Sequence, residues 1–317
     1  MAKYKQADLK KVRTISITSR KSKVRTDDFA RVFDPKKESF SAFVKSIPHI
    51  LVAEDLRRLV GGVVAARRKK KPVIVMIGAH VIKVGLSPIL IDLMKRKVIT
   101  ALAMNSAAAI HDVETALFGQ TSEDVEAYLV DGRFGMSRQT GEFINGVLTR
   151  GVRDDNAGYG EALGRSLCGA RYERLCLLAT AYRLNIPATV HAAIGTDIIH
   201  QQPTMNGAAT GEMSFRDFKV LCNIVKDLKG GGVVMNIGSA VILPEVFLKA
   251  LTVARNLGTD ARGFTSANFD MLQHYRARMN VVHRPTTGGG KGYLFTGHHE
   301  IMIPLVAAMI KERLRTR

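Results

Sequence analysis

The chain has 317 residues, 46% of them hydrophobic and 6% aromatic, with 9 prolines and no tryptophan. This allows one large domain or two ordinary ones with an aliphatic core. It argues against a membrane span, because no stretch of about 20 residues is free of charged or polar breaks, and against a secretory leader, because Met1-Ala2-Lys3-Tyr4-Lys5 precedes no apolar run. The formal charge is +19, and residues 1–71 hold 20 basic and 7 acidic side chains of the 47 and 28 in the chain. Such an excess attracts nucleic acid or another polyanion. Few aromatic residues are interleaved and no nucleic-acid motif is present, which favours a solvated, solubilising face instead. Cys168, Cys176 and Cys222 are odd in number and lack metal-ligand spacing. They read as reduced thiols of a cytoplasmic protein, and no metal site is expected.

Residues 1–37 read as a basic amino-terminal arm bounded at Asp34-Pro35, and residues 38–317 as one domain. Apolar residues recur near a 3.6-residue period from Ser39 to Ala66, which predicts a helix. The run Val73-Ile74-Val75-Met76-Ile77 predicts a buried strand, and Gly78-Ala79-His80 turns it into a helical pattern after Gly85-Leu86. A second strand, Val98 to Met104, ends at Asn105-Ser106 ahead of an alanine-rich helix. Asp131 to Met136 reads as a turn, Gly151 to Gly164 as a loop, and Leu175 to Leu184 as a helix. A third strand, Ala188 to Ile194, leads to Gly195-Thr196-Asp197, and a helix follows from Phe215 to Leu228. Val233 to Ile237 forms a fourth strand into Gly238-Ser239, Gly263 to Asn268 resembles a further strand end, and Ile301 to Leu314 is the last helix. This alternation predicts an α/β fold: a doubly wound, mostly parallel Rossmann-like sheet with helices on both faces and a basic amino-terminal extension. Small polar turns at the carboxyl ends of such strands are where parallel α/β proteins hold nucleotide phosphates.

The order of these turns resembles the deoxyhypusine synthase family from about Leu51 to Ala308. Gly78-Ala79-His80 with Gly85-Leu86 is similar to that family's first NAD turn. Asn105 to Asp112 stands where the family has Thr-Ala-Gly-Gly-Val-Glu-Glu-Asp. Asn236-Ile237-Gly238-Ser239 resembles a glycine-rich strand end, Phe264 to Asp270 resembles Ile-Asn-Thr-Ala-Gln-Glu-Phe-Asp, and Gly297 to Val306 resembles Ala-Asp-Ala-Ser-Leu-Val-Phe-Pro-Leu-Leu. The resemblance implies an NAD-binding domain over residues 38–317, a homotetramer, and an amine such as a polyamine as substrate. It also departs from the family. The Ser-Trp-Gly-Lys segment that carries the catalytic lysine is absent, and Gln273-His274-Tyr275-Arg276-Ala277-Arg278 stands in the comparable stretch. Arginine cannot form an imine near neutral pH.

The candidate cofactor residues are Gly78, Ala79, His80, Gly85, Leu86, Asn105, Ser106, Asp197, Gly238, Ser239, Thr265, Ser266 and His298. Asp197 suits a ribose hydroxyl or a substrate amine, or simply a helix cap. By resemblance, His298 lies near the adenosine end of the NAD. Glu114 and Asp112 are candidate partners for a cationic substrate, against a plain role at a helix start. His298-His299-Glu300 could move a proton, with Glu300 orienting a histidine. Gly288-Gly289-Gly290-Lys291-Gly292 is not a Walker sequence; it reads as a bare loop or a lid that carries Lys291 into the site. The candidate catalytic set is therefore Lys291, His299, Glu300 and Glu114. The expected activity is transient hydride transfer to NAD with group transfer or elimination on an amine or related small substrate. The alternative is an inactive nucleotide-binding scaffold whose arm binds a polyanion or a protein partner.

Overall fold

The computed structural model describes residues 2–154 and 156–315. Asp155, at the centre of the acidic cluster Asp154-Asp155-Asn156 expected in a loop, lies outside the described residues. The chain divides into two compact units between Glu54 and Asp55. The sequence reading set the arm at residues 1–37. Backbone bonds from Arg31 N–H to Ser46 O and from His49 N–H to Asp28 O, both 2.9 Å, tie the following residues back into the first unit. That unit holds a short helix, α1 (Phe40–Ser46), capped by the Ser39 hydroxyl. The continuous helix expected from Ser39 to Ala66 is interrupted, and α2 (Leu51–Arg68) begins afresh. Pro48 accounts for the break: it has no N–H to donate and holds Ile47 extended, at ψ 144°.

In the second unit, β1 (Val73–Ile77) passes through α3 (His80–Lys83) and α4 (Ser87–Lys95) to β2 (Ala101–Asn105). Then come α5 (Ser106–Phe118), α6 (Val125–Leu129), α7 (Arg138–Asp154), α8 (Tyr159–Ser166) and α9 (Leu177–Arg183) before β3 (Ala188–His191). Helix α10 (Gly207–Val225) precedes β4 (Val233–Ile237), and α11 (Ile242–Asn256) precedes β5 (Thr265–Asp270). Between β5 and β6 (Lys291–Thr296) lie α12 (Tyr275–Ala277), a π-helical turn at Arg278–His283 and α13 (Arg284–Thr286), and α14 (His299–Arg315) follows. The six strands are all parallel, in the order β3-β2-β1-β4-β5-β6. Strand order reverses between β1 and β4, so the crevice beyond their carboxyl ends is the topological switch point of a doubly wound sheet.

β1 and β4 are buried along their whole length, as central strands covered on both faces must be. On one face Ile74, Met76, Ala101, Ala103 and Val234 pack with Leu221, Val225, Leu243, Phe247 and Val281 from α10, α11 and the π-helical turn. Elsewhere α2, α4 and α14 are tied together: Lys311 Nζ lies 3.0 Å from Asp92 and Arg67 Nε donates to Arg96 O at 3.1 Å.

Two expectations change. The glycine-rich segment, expected as a bare loop or a lid, is a turn at 287–289 followed by β6, which holds Lys291 and Gly292. Gly292 suits a strand here because a Cβ would lie 2.8 Å from the Val282 carbonyl oxygen. The expected loop from Gly151 to Gly164 is shorter than its glycines suggest: its start ends α7, residues 156–158 are irregular, and α8 takes over from Tyr159. Its glycines allow close packing: a Cβ on Gly160 would lie 2.1 Å from Ala188 O, and one on Gly151 2.7 Å from Met213 Cε.

Candidate functional site at the carboxyl edge of the sheet

Gly78, Asn105, Gly238 and Gly297 each follow or end a strand, and the parallel sheet brings them to one edge. At the switch point the backbones of β1 and β4 nearly touch. Gly78 N–H donates to Ile237 O at 2.9 Å, and a Cβ on Gly78 would lie 2.2 Å from Gly238 O. Gly238 has a left-handed φ of 69°, and a Cβ there would lie 2.8 Å from the His299 ring. Ser239 accepts the N–H of Leu243 at the start of α11, and the His80 ring centroid lies 5.6 Å from that of His299.

His299 is buried. Its Nε2 lies 3.1 Å from Phe269 O, and a carbonyl can only accept, so Nε2 carries the proton. Nδ1 is then a bare acceptor, and it is buried with no partner among the described residues. Such an atom calls for a donor from outside the chain. The Asn236 amide donates to Ser239 O and to Asn268 Oδ1, while its own oxygen is likewise unpartnered.

Along the same edge, beside β2 and α5, lies a cavity of about 450 Å³. Its lining includes Lys83, His111, Glu114, Glu123, Thr140 and Asp197. Three carboxylates against one ammonium favour a cationic guest. Two threonines grip Glu114: the Thr121 hydroxyl donates to Oε2, and the Thr140 hydroxyl donates to Oε1 at 3.0 Å. His111 Nδ1 lies 2.6 Å from Thr121 Oγ1. Thr121 has given its single proton to the carboxylate, so it accepts from His111, whose Nδ1 must carry the hydrogen. Nε2 of His111 is therefore a free lone pair on a ring that lines the cavity. Burial, with Lys83 assisting, lowers the His111 pKa to about 4, so the ring is neutral at pH 7.

Asp197 sits where the β3 loop returns to β2. It accepts the hydroxyl proton of Ser106, the first residue of α5, and lies 3.8 Å from His200 Nε2. Burial raises its pKa, opposed by Ser106 and His200. A carboxylate thus stands beside the carboxyl end of the second strand, the place where Rossmann folds meet a ribose hydroxyl. Here the third strand's loop supplies it. The strand's own last residue, Asn105, is occupied in capping α5 through the Ala108 N–H. Glycines, a carboxylate and an unpartnered histidine acceptor along one edge fit a dinucleotide.

The other predicted residues fall differently. Ala79 and His80 follow β1 directly. Gly85, at φ 75°, closes the turn between α3 and α4, and Leu86 is buried behind it. His298 and Glu300 reach the edge but face solvent, 3.6 Å apart, with side chains 63% and 45% exposed. Thr265 and Ser266 begin β5 at the opposite edge, and Ser266 is spent on Val281 O. Lys291 pairs with Thr265 there, about 16 Å of strand away from the carboxyl end and beyond a lysine's reach. Asp112 is not in the cavity: it is fully buried and accepts the N–H groups of Leu177 and Leu178 at the start of α9. Thr121, Thr140 and His200 carried no local signal, because each matters only through a partner that the fold brings to it.

No protein-family model matches the chain, and no curated protein matches it in sequence. Solved structures do match in fold. One is a provisionally named LOR/SDH protein from Methanococcus maripaludis S2, 16% identical over 90% of this chain and 75% of that one, with TM-score 0.50. AgrE, solved as a ternary complex with ornithine and NAD+, is 12% identical over 83% of this chain and 33% of its own, with TM-score 0.53. A provisionally named deoxyhypusine synthase from Entamoeba histolytica is 10% identical over 88% of this chain and 95% of its own, with TM-score 0.52. The chain thus spans about a third of AgrE and nearly all of the last structure. These likenesses show a fold shared with enzymes, one of them solved with NAD+ bound.

Proposed function

We propose that this chain is an NAD-dependent enzyme of the deoxyhypusine synthase-like fold that oxidises a small cationic amine. NAD would lie along the carboxyl edge, across Gly78, Gly238 and His299, and reach toward Asp197. When bound, it would supply a hydride acceptor. The observation that carries the reading is a neutral histidine with a bare Nε2, in a cavity of net negative charge, on the same edge as the switch point.

The side chains divide the work. Glu114, Glu123 and Asp197 draw the ammonium into the cavity. Oxidation of a carbon bearing an amine removes a hydride from the carbon and a proton from the nitrogen. His111 Nε2 accepts that proton, and Thr121 and Glu114 stabilise the resulting imidazolium through Nδ1. Without the family's lysine segment, no imine to the protein is required: the oxidised carbon is released to water or passed to a second amine. A homotetramer belongs to this reading by resemblance alone, and a cytoplasmic location by the reading of the three cysteines as reduced thiols.

The test is formation of NADH when the purified chain meets NAD+ and a panel of diamines and polyamines. His111→Gln should lower turnover by about 100-fold or more while NADH still binds. Failure of every amine to reduce NAD+, or full turnover by His111→Gln, contradicts the assignment.

A further inference from the structure

The edge of the sheet opposite the candidate site is lined with cations that nothing above uses. Five loops feed β2, β1, β4, β5 and β6, and each carries basic residues: Lys95 to Lys97, Arg67 to Lys71, Lys229, Arg262 and Lys291. All are exposed except Lys71, which is half-buried. Contacts fix the loops side by side in that order. Arg67 Nε donates to Arg96 O at 3.1 Å, joining the first two loops. Val233 N–H donates to Pro72 O at 2.9 Å, and Gly230 N–H to Arg262 O at 3.1 Å. Arg262 packs against Gly288 ahead of β6: a Cβ there would lie 3.1 Å from Arg262 Cδ.

Acidic residues are few along this row. Asp92 faces Arg96 and Lys311, and Asp260 faces Lys229 and Arg262. Lys69, Lys70, Lys71, Lys95, Lys97 and Lys291 form no ion pair among the described residues. With strands about 4.8 Å apart, the row from β2 to β6 runs about 19 Å. Arg67, Arg96, Lys311 and Arg315 also line a hollow at its β2 end, together with one carboxylate, Glu312, which pairs with Arg315.

Part of this charge has an ordinary explanation, since basic residues in the last turns of α2, α4 and α14 offset the helix dipoles. Lys229, Arg262 and Lys291 are not in such turns, and they extend the row past the helix ends. We propose that this edge binds the phosphodiester backbone of nucleic acid, with RNA as the natural probe. A linear row of cations matches a linear polyanion. No aromatic side chain stands among these loop residues to stack a base, so binding is independent of sequence. An anionic membrane would be better met by a broad basic face with apolar side chains to insert.

The test uses the full chain and a fluorescein-labelled oligouridylate of about 20 nucleotides, read by anisotropy across a salt series. Lys69→Gln/Lys70→Gln/Lys71→Gln should weaken binding about tenfold and flatten the log–log salt slope by about two. Lys95→Gln/Lys97→Gln, on the neighbouring loop, should act in the same direction and guards against a folding defect in the triple variant. Lys10→Gln/Lys11→Gln/Arg20→Gln removes equal charge from the amino-terminal unit and should change affinity less than about threefold. Absence of binding at low salt overturns the proposal. So does equal loss from the edge and amino-terminal triples, or binding to anionic vesicles without binding to the oligonucleotide.

Discussion

At the scale of single residues, buried carboxylates do structural work that their sequence neighbours do not announce. Asp112 precedes Glu114 by two positions and looks like its twin. The carboxylate turns inward, accepting two backbone N–H groups and the Cys176 thiol, and burial raises its pKa to about 6. Asp112→Ala leaves those donors unsatisfied and should cost about 3 kcal/mol or more in urea unfolding. Asp217 accepts the N–H groups of Gly160 and Val190, and burial pushes its pKa up to about 8. Between about pH 4 and 8 the folded chain then holds a proton that the unfolded chain has lost, so this group's contribution to stability declines as pH rises. Asp217→Asn keeps an acceptor oxygen and should flatten that decline when urea midpoints are compared across the window. His111 has the opposite sign. With its folded pKa near 4, the unfolded chain binds more protons between about 4 and 6.5, so stability falls as pH drops through that range. Turnover that depends on neutral His111 should hold from pH 7 down to about 5, and a fall centred near pH 6.5 would show an unshifted group.

At the scale of elements, most of the sheet was legible because central parallel strands must be continuous apolar runs. β1 and β4 read directly. β5 showed only as a strand end from Gly263 to Asn268, because Thr265 to Asp270 is rich in polar and small residues, and β6 was hidden behind its glycine-rich start. β4 and β5 each tolerate a buried asparagine because Asn236, Asn268 and Gln273 bond in series. No local pattern reveals a partner 32 residues away. Glycine misled in the same way: at Gly151 and Gly160 it marks helix packing, whereas at Gly78 and Gly238 it marks the strand ends that the sequence suggested. Gly78→Ala would drive a Cβ into the Gly238 carbonyl and should destabilise the chain by about 3 kcal/mol or more, read as a lower urea midpoint. A variant with wild-type stability would mean that β1 and β4 part more easily than their register implies.

At the scale of the molecule, the strand order gives the sheet two unlike edges. The carboxyl edge gathers glycines, helix starts, a cavity with carboxylates and two histidines with bare acceptors. The amino edge gathers lysines and arginines. The sequence located the first through its turns. It credited the positive charge to the amino-terminal region, because Lys229 before β4 and Lys291 at the start of β6 are single residues far apart in the chain. The same geometry explains why Lys291 lies with the cations of the amino edge and His111 beside the cavity of the carboxyl edge.

The claim that the carboxyl edge holds a dinucleotide can be read directly, because reduced nicotinamide is excited at wavelengths where the 7 tyrosines of the chain do not absorb. Titration of the full chain should give a saturable enhancement, displaced by NAD+. His299→Leu, which removes the bare Nδ1 acceptor, should weaken it about tenfold. No enhancement at millimolar NADH, or undiminished binding by a folded His299→Leu variant, would contradict the account.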